Sequence, residues 1–152
     1  MSDAAPWLDD DEMSTWLALI GVVMRLPAAL DEQLRADSNL SHFEYAVLAH
    51  LSDAEDRTMR MSELAYLSNG SLSRLSHVAR RLEEAGLIER FACPTDGRST
   101  LARLTEPGQR RLAAAAPGHV RLVRELVFDR LEADEAAALG RIAARMLARL
   151  KR

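Results

Sequence analysis

Residues 61–86, MSELAYLSNGSLSRLSHVARRLEEAG, decide how this chain is read. Met61–Leu67 suits a short helix, closed by Ser68-Asn69-Gly70, where asparagine and glycine tolerate the positive φ of a sharp turn. From Ser71 onward, Leu72, Leu75, Val78, Ala79 and Leu82 recur at helical spacing until Gly86 ends the segment. At 100° per residue these five fall within about 120° of arc. The opposite side carries Ser73, His77 and Arg80, flanked by Ser76, Arg81 and Arg74, and no acid intervenes between Glu63 and Glu83. Hydrogen-bond donors at spacings of three and four, with uncompensated positive charge, suit a helix lying in a DNA major groove. There arginine can hold guanine bidentately, and serine or histidine can meet base edges or phosphates. The alternative is a solvated helix face, but such a face usually interleaves acids with bases at i, i+4.

Downstream, 87–92 and 99–104 read as short strands joined by Cys93-Pro94-Thr95-Asp96-Gly97-Arg98, a hairpin on the strength of proline and Asp-Gly. The order is then helix, turn, helix, wing. With the helix in the major groove, Arg98 at the tip of Asp96-Gly97-Arg98 could reach the adjacent minor groove, and Asp96 would orient an arginine without touching DNA. An ordinary Asp-Gly turn with an exposed charge is the other reading.

Upstream, Ser41 with Glu44 has the capping-box spacing and opens a helix through Phe43, Val47, Leu48 and Leu51 that ends near Ser52-Asp53. Met13–Arg35 is helical and apolar over more than one face, with Pro27 expected to kink or divide it. Thr105 caps a second long region running to Phe128, where Pro117-Gly118 should bend or break the helix. A last helix starts near Asp134-Glu135, with Arg145, Arg149 and Lys151 favourable at its end. The first twelve residues are an acidic lead-in.

With 152 residues, 28% charged and 48% hydrophobic, the chain has the composition of a folded protein, and its single cysteine excludes an intramolecular disulfide framework. A reducing, cytoplasmic compartment fits. No apolar run approaches the roughly 18 to 20 residues that span a bilayer, and the acidic N-terminus is unlike a secretory leader, so neither secretion nor a membrane is expected. Aromatic residues at 5% favour helices over strands. The net charge of −3 hides an asymmetry: residues 1–60 carry −8 and residues 61–152 carry +5. The excess of arginine over lysine fits a GC-rich genome and carries no functional weight.

Phe43-Glu44-Tyr45-Ala46-Val47-Leu48, Ser62-Glu63-Leu64-Ala65, Ser71-Leu72-Ser73-Arg74-Leu75, Arg81–Arg90, Asp96-Gly97-Arg98-Ser99 and Leu104-Thr105-Glu106-Pro107-Gly108 resemble, in order, the motifs of the MarR (multiple antibiotic resistance regulator) family. The resemblance is dense over 41–112. It implies a mostly α winged helix-turn-helix with a two-stranded β-wing, flanked by N- and C-terminal dimerisation helices: 1–40, the DNA-binding domain 41–104, and 105–152. It further implies a homodimeric transcription factor, usually a repressor, whose affinity for double-stranded DNA falls when a small aromatic or anionic effector binds. By position, Ser71, Ser73, Arg74, His77 and Arg80 would belong to the recognition helix, and Asp96, Gly97 and Arg98 to the wing. Apart from that analogy, the apolar regions 13–35 and 119–150 exceed what a winged helix can cover, and self-association would remove the excess.

Trp16, Met24, Arg25, His42, Phe43 and Tyr45 are candidates for an effector pocket between the dimer helices and the DNA-binding part, with core packing the alternative for each aromatic or methionine. Arg25, inside an apolar stretch, calls for a partner such as Asp31, Asp53 or an anionic ligand. Cys93 reads as a passive thiol, because the oxidant-sensing cysteines of relatives lie in the N-terminal helical region. The four histidines lack metal-ligand spacing, and no nucleophile or phosphate loop accompanies Glu83-Glu84. Neither a cofactor nor catalysis is expected. A winged-helix module that docks an acidic protein partner stays open as the alternative function.

Overall fold

In the computed structural model, which describes residues 6–150, the chain runs α1 (Asp10–Ser38), α2 (His42–Asp53), β1 (Thr58–Arg60), α3 (Met61–Leu67), α4 (Leu72–Glu84), β2 (Ile88–Cys93), β3 (Asp96–Leu104), α5 (Glu106–Leu126) and α6 (Ala133–Leu150). The start of the acidic lead-in, residues 1–5, and Lys151 lie outside the described residues. The fold is mostly helical and carries the expected helix, turn, helix, wing order.

Local chemistry sets most helix ends. Asp9 and Ser41 each close a capping box, with Glu12 and Glu44 returning to the cap N–H. Ser71 Oγ accepts from the Arg74 N–H at 3.1 Å and starts α4. Gly86, at φ 73°, ends it in the left-handed region that glycine adopts without penalty. One hydroxyl then joins two helices: Thr105 Oγ1 donates to the Gly86 carbonyl at 2.6 Å and accepts from the Gly108 N–H at 3.1 Å. Gly108 is packed so closely on the Leu87 carbonyl that a side chain there has no room.

Several expectations need correction. Neither proline divides its helix: α1 is continuous through Pro27 and α5 through Pro117. The carbonyls four residues earlier belong to Val23 and Ala113, both exposed, so water can take the place of the missing donor. The sheet has three strands, in the order β1-β3-β2, because Thr58–Arg60 pairs antiparallel with Leu101–Arg103. Three residues are too few to display an alternating pattern. The hairpin turns at Pro94-Thr95, where Cys93 pairs with Asp96, so Asp96-Gly97-Arg98 opens β3 as part of an irregular register and does not form the tip. Finally, α1 is long and apolar enough to cross a bilayer by length and composition alone, since its scattered polar residues break up every run without making it polar. Little of that stretch is buried within the chain.

The core lies where α2, α3 and α4 meet the sheet and the start of α5: Val47, Leu48, Leu51, Leu64, Leu75 and Ile88 are fully buried there, joined by Leu34 from the end of α1. Leu72, assigned by periodicity to the buried side of α4, is instead half exposed. It stands at the first helical position, beyond the reach of that core. The turn between α3 and α4 passes directly over α2. A β-carbon on Gly70 would lie 2.5 Å from Phe43 Cε2 and 2.6 Å from Cζ, so this glycine is required by close approach, not by its dihedrals. Gly70→Ala is expected to destabilise the fold by about 1–3 kcal/mol through displacement of the Phe43 ring. An unchanged midpoint in urea denaturation would show that the ring yields without cost.

Candidate nucleic-acid interface

The interface is built on α4, which Leu75, Val78, Ala79 and Leu82 anchor in the core while Ser71, Ser73, Arg74, Ser76, His77, Arg80 and Arg81 stay exposed. The exposed set divides into two groups. Arg74 and Arg81 turn toward α2: the Arg74 guanidinium sits 4.2 Å from the Phe43 ring centroid, and Arg81 Nη2 donates to Glu44 Oε1 at 2.9 Å. Sequence reasoning grouped both with the outward residues, and a partner 37 positions away leaves no local signal for the Arg81 pair. Ser73, Ser76, His77 and Arg80 form the free edge. Arg80 Nη2 lies 3.2 Å from His77 Nδ1, and no acid opposes it among the described residues.

Asp96 organises the wing beside that edge. Its Oδ2 accepts from Ser99 Oγ at 2.6 Å and from Arg60 Nη1 at 3.3 Å, while Oδ1 accepts from the Arg98 N–H at 3.2 Å. Arg60 Nη1 also donates to Ser99 Oγ at 2.8 Å. The Ser99 bond first, then the Arg98 N–H and Arg60, holds the Asp96 carboxyl below the ordinary carboxylate range. The arginine that Asp96 orients by side chain is therefore Arg60, from the strand that sequence reasoning missed. Gly97 is exposed beside it, and the Arg98 guanidinium makes no hydrogen bond or ion pair among the described residues. Elsewhere around the interface, Arg90 pairs with Glu83 at 2.7 Å and Arg103 with Glu89 at 2.6 Å. Arg80 and Arg98 thus remain uncompensated within a ring of arginines that have acidic or aromatic partners.

Arg60, Leu72, Ser76, Arg98 and Ser99 line one concavity between α4 and the wing, with a volume of about 260 Å³. Cys93 lies buried beneath the turn of the wing, with its sulfur 3.3 Å from Thr95 Oγ1. That hydrogen bond draws the thiol below its ordinary pKa.

The six residues expected at an effector pocket do not converge. Met24, His42 and Phe43 share a groove of about 730 Å³ with Asp31, Arg35 and Arg74, between α1, α2 and the start of α4. Phe43 is mostly buried beneath Gly70, so it offers that groove little surface. Trp16 lies near Met146 of α6, and Arg25 lines a separate apolar groove facing Leu126. Arg25 pairs with neither Asp31 nor Asp53. Asp31 is already engaged by Arg35 Nε at 2.6 Å and the His42 N–H at 2.8 Å, and Arg25 stays exposed to water.

Tyr45 joins a cluster that no spacing announced: its ring centroid is 4.3 Å from that of His119, which is 5.7 Å from that of His42. Among the described residues no group of three His, Cys, Asp or Glu side chains is placed to hold a metal ion. Burial lowers the pKa of both imidazoles, with His42 further disfavouring charge on His119 while Asp31 partly offsets the shift at His42.

A helix anchored by its apolar side beneath a free cationic edge, with a β-wing alongside, defines the winged helix-turn-helix class of DNA-binding folds. The sequence pattern of the MarR family matches residues 40–100. The chain is 38% identical to Sco3205, a MarR family transcriptional regulator from Streptomyces coelicolor whose crystal structure is in complex with DNA. That likeness has a TM-score of 0.93 and covers 99% of this chain and 94% of that one. Two Bacillus subtilis (strain 168) proteins are also similar. The HTH-type transcriptional regulator YdcH is 34% identical over 84 residues, and the HTH-type transcriptional repressor YetL is 26% identical over 112 residues. The matches take in 54% and 74% of this chain, and span 57% and 66% of those two proteins. This chain belongs to the MarR family.

The histidine cluster gives a pH prediction. Because folding depresses both pKa values below the ordinary 6.5, the stability conferred by keeping the rings neutral is full above that value and is lost as pH falls toward the folded values. The urea midpoint should drop between about pH 7.5 and about pH 5.5. The drop should be smaller in the His42→Gln/His119→Gln protein, and equal slopes would remove the cluster from the account.

Proposed function

We propose that the protein is a sequence-specific DNA-binding transcriptional regulator that acts as a homodimeric repressor on a pseudo-palindromic promoter site and is released by a small aromatic or anionic effector. The observation that carries the reading is the placement of Arg80 and Arg98, the two arginines around the interface with no acidic or aromatic partner among the described residues, on the free edge of α4 and on the wing beside it. Arg80 with Ser73, Ser76 and His77 would read base edges in the major groove, and Arg98 would enter the neighbouring minor groove. Arg74 and Arg81 set the angle of α4 against α2 and contribute charge to the phosphate field.

Two observations support a dimer. No residue of α6 is buried, although Leu139, Ile142, Met146 and Leu147 recur at helical spacing, and α1 exposes Leu17, Val22, Val23 and Met24. An apolar surface of that extent is covered in solution. A twofold partner would set the two recognition helices roughly 34 Å apart, one turn of DNA. The repressor direction follows the resemblance and the name of YetL. The groove lined by Met24, His42, Arg35 and Arg74 is the effector site in this reading, because Arg74 belongs both to it and to the recognition helix. α1 and α6 delimit dimerisation regions 1–40 and 105–152 around the DNA-binding part 41–104, and the protein works in the cytoplasm.

Arg80→Ala should weaken binding to the cognate duplex by about 1–3 kcal/mol and relax base preference, measured by fluorescence anisotropy across a salt series. Equal loss on every sequence would make Arg80 a phosphate contact. Weak, equal binding of the wild type to cognate and scrambled duplexes would favour the protein-docking alternative. Sedimentation should return twice the 16.9 kDa chain mass, and a monomer at micromolar concentration would overturn the dimer.

A further inference from the structure

Leu72 is the large apolar side chain of α4 that the fold leaves unused. Leu75, Val78 and Leu82 on the same helix are at most 6% exposed, whereas Leu72 is 50% exposed. A single exposed leucine is ordinary on a protein surface; its position here is not. It directly follows the Ser71 cap and projects into the concavity that holds Ser76, Arg98, Ser99 and Arg60, where Met61 is the one other apolar side chain in a wall of hydroxyls and guanidinium groups.

In a helix-turn-helix the N-terminal residues of the recognition helix meet the base edges. Serine there discriminates weakly, since its hydroxyl donates and accepts and so satisfies either member of a base pair. An apolar side chain does discriminate. The thymine C5-methyl is the methyl group that unmodified bases display in the major groove, and covering it removes two apolar surfaces from water together. We infer that Leu72 is a specificity-determining residue that reads a thymine methyl group in each half-site, next to the base pairs met by Ser73 and Ser76. The inference rests on the proposed reading that α4 enters the major groove.

The test begins with a duplex enriched from a random pool by the full chain. Each thymidine is then replaced singly by deoxyuridine, which deletes the methyl group and nothing else, and the dissociation constants of wild type and Leu72→Ala are measured by anisotropy. Wild type should lose roughly fourfold, the worth of one methyl group returned to water, at one thymidine per half-site. Leu72→Ala should be weaker on the intact duplex and indifferent to the substitution at that position. Because Leu72 lies outside the core, its alanine variant should keep the wild-type urea midpoint, so that loss of binding cannot be ascribed to unfolding. Selective binding with no methyl-sensitive thymidine, or with sensitivity that persists in Leu72→Ala, overturns the assignment and leaves Leu72 packed on a sugar. Failure to enrich any duplex overturns the proposed function itself.

Discussion

One carboxylate ties the polar side of α4 to α2. Glu44 Oε2 accepts from the Ser41 N–H at 2.7 Å and completes the cap of α2, while Oε1 holds Arg81 of α4 at 2.9 Å. A side chain only 13% exposed thus joins the start of α2 to the far half of α4. Phe43, its neighbour, does the same for the near half by lying under both Gly70 and Arg74. With α4 clamped at two points against α2, its remaining polar side chains have one direction in which to face. Charge-assisted contacts of this partly buried kind hold geometry more than they add stability. Geometry is what a surface that must match a groove requires.

Local chemistry made much of this legible in the sequence. The Ser41 cap, the span of α3, the Ser71 start and Gly86 end of α4, and the Thr105 start of α5 each depend on residues a few positions apart, and all stand where the sequence puts them. What was not legible depends on residues distant in the chain. β1 exists because β3 offers it an edge, and no property of Thr58-Met59-Arg60 announces a strand. The turn of the wing falls at Pro94-Thr95 because the register of β2 with β3 decides it, against the local pull of Asp-Gly.

The candidate interface divides in the same way. Periodicity finds which side of α4 is polar, but it cannot say which of six outward positions acquires a neighbour. Arg74 and Arg81 are seven residues apart and hence on one face, the face that α2 happens to flank. Leu72 obeys the apolar period and still emerges into water, since the core ends one turn later in the helix. Arg25 shows the opposite error. An arginine among apolar residues suggests a buried charge only if the apolar residues are themselves buried, and its neighbours Val22, Val23 and Met24 are not.

The Thr105 hydroxyl bridge makes the end of α4 and the beginning of α5 a single rigid corner. With Gly108 wedged on the Leu87 carbonyl, that corner has no slack in which to pivot. α4 and α5 therefore behave as the two arms of one bent lever, and a tilt of α5 is passed on to α4 instead of being absorbed at the corner.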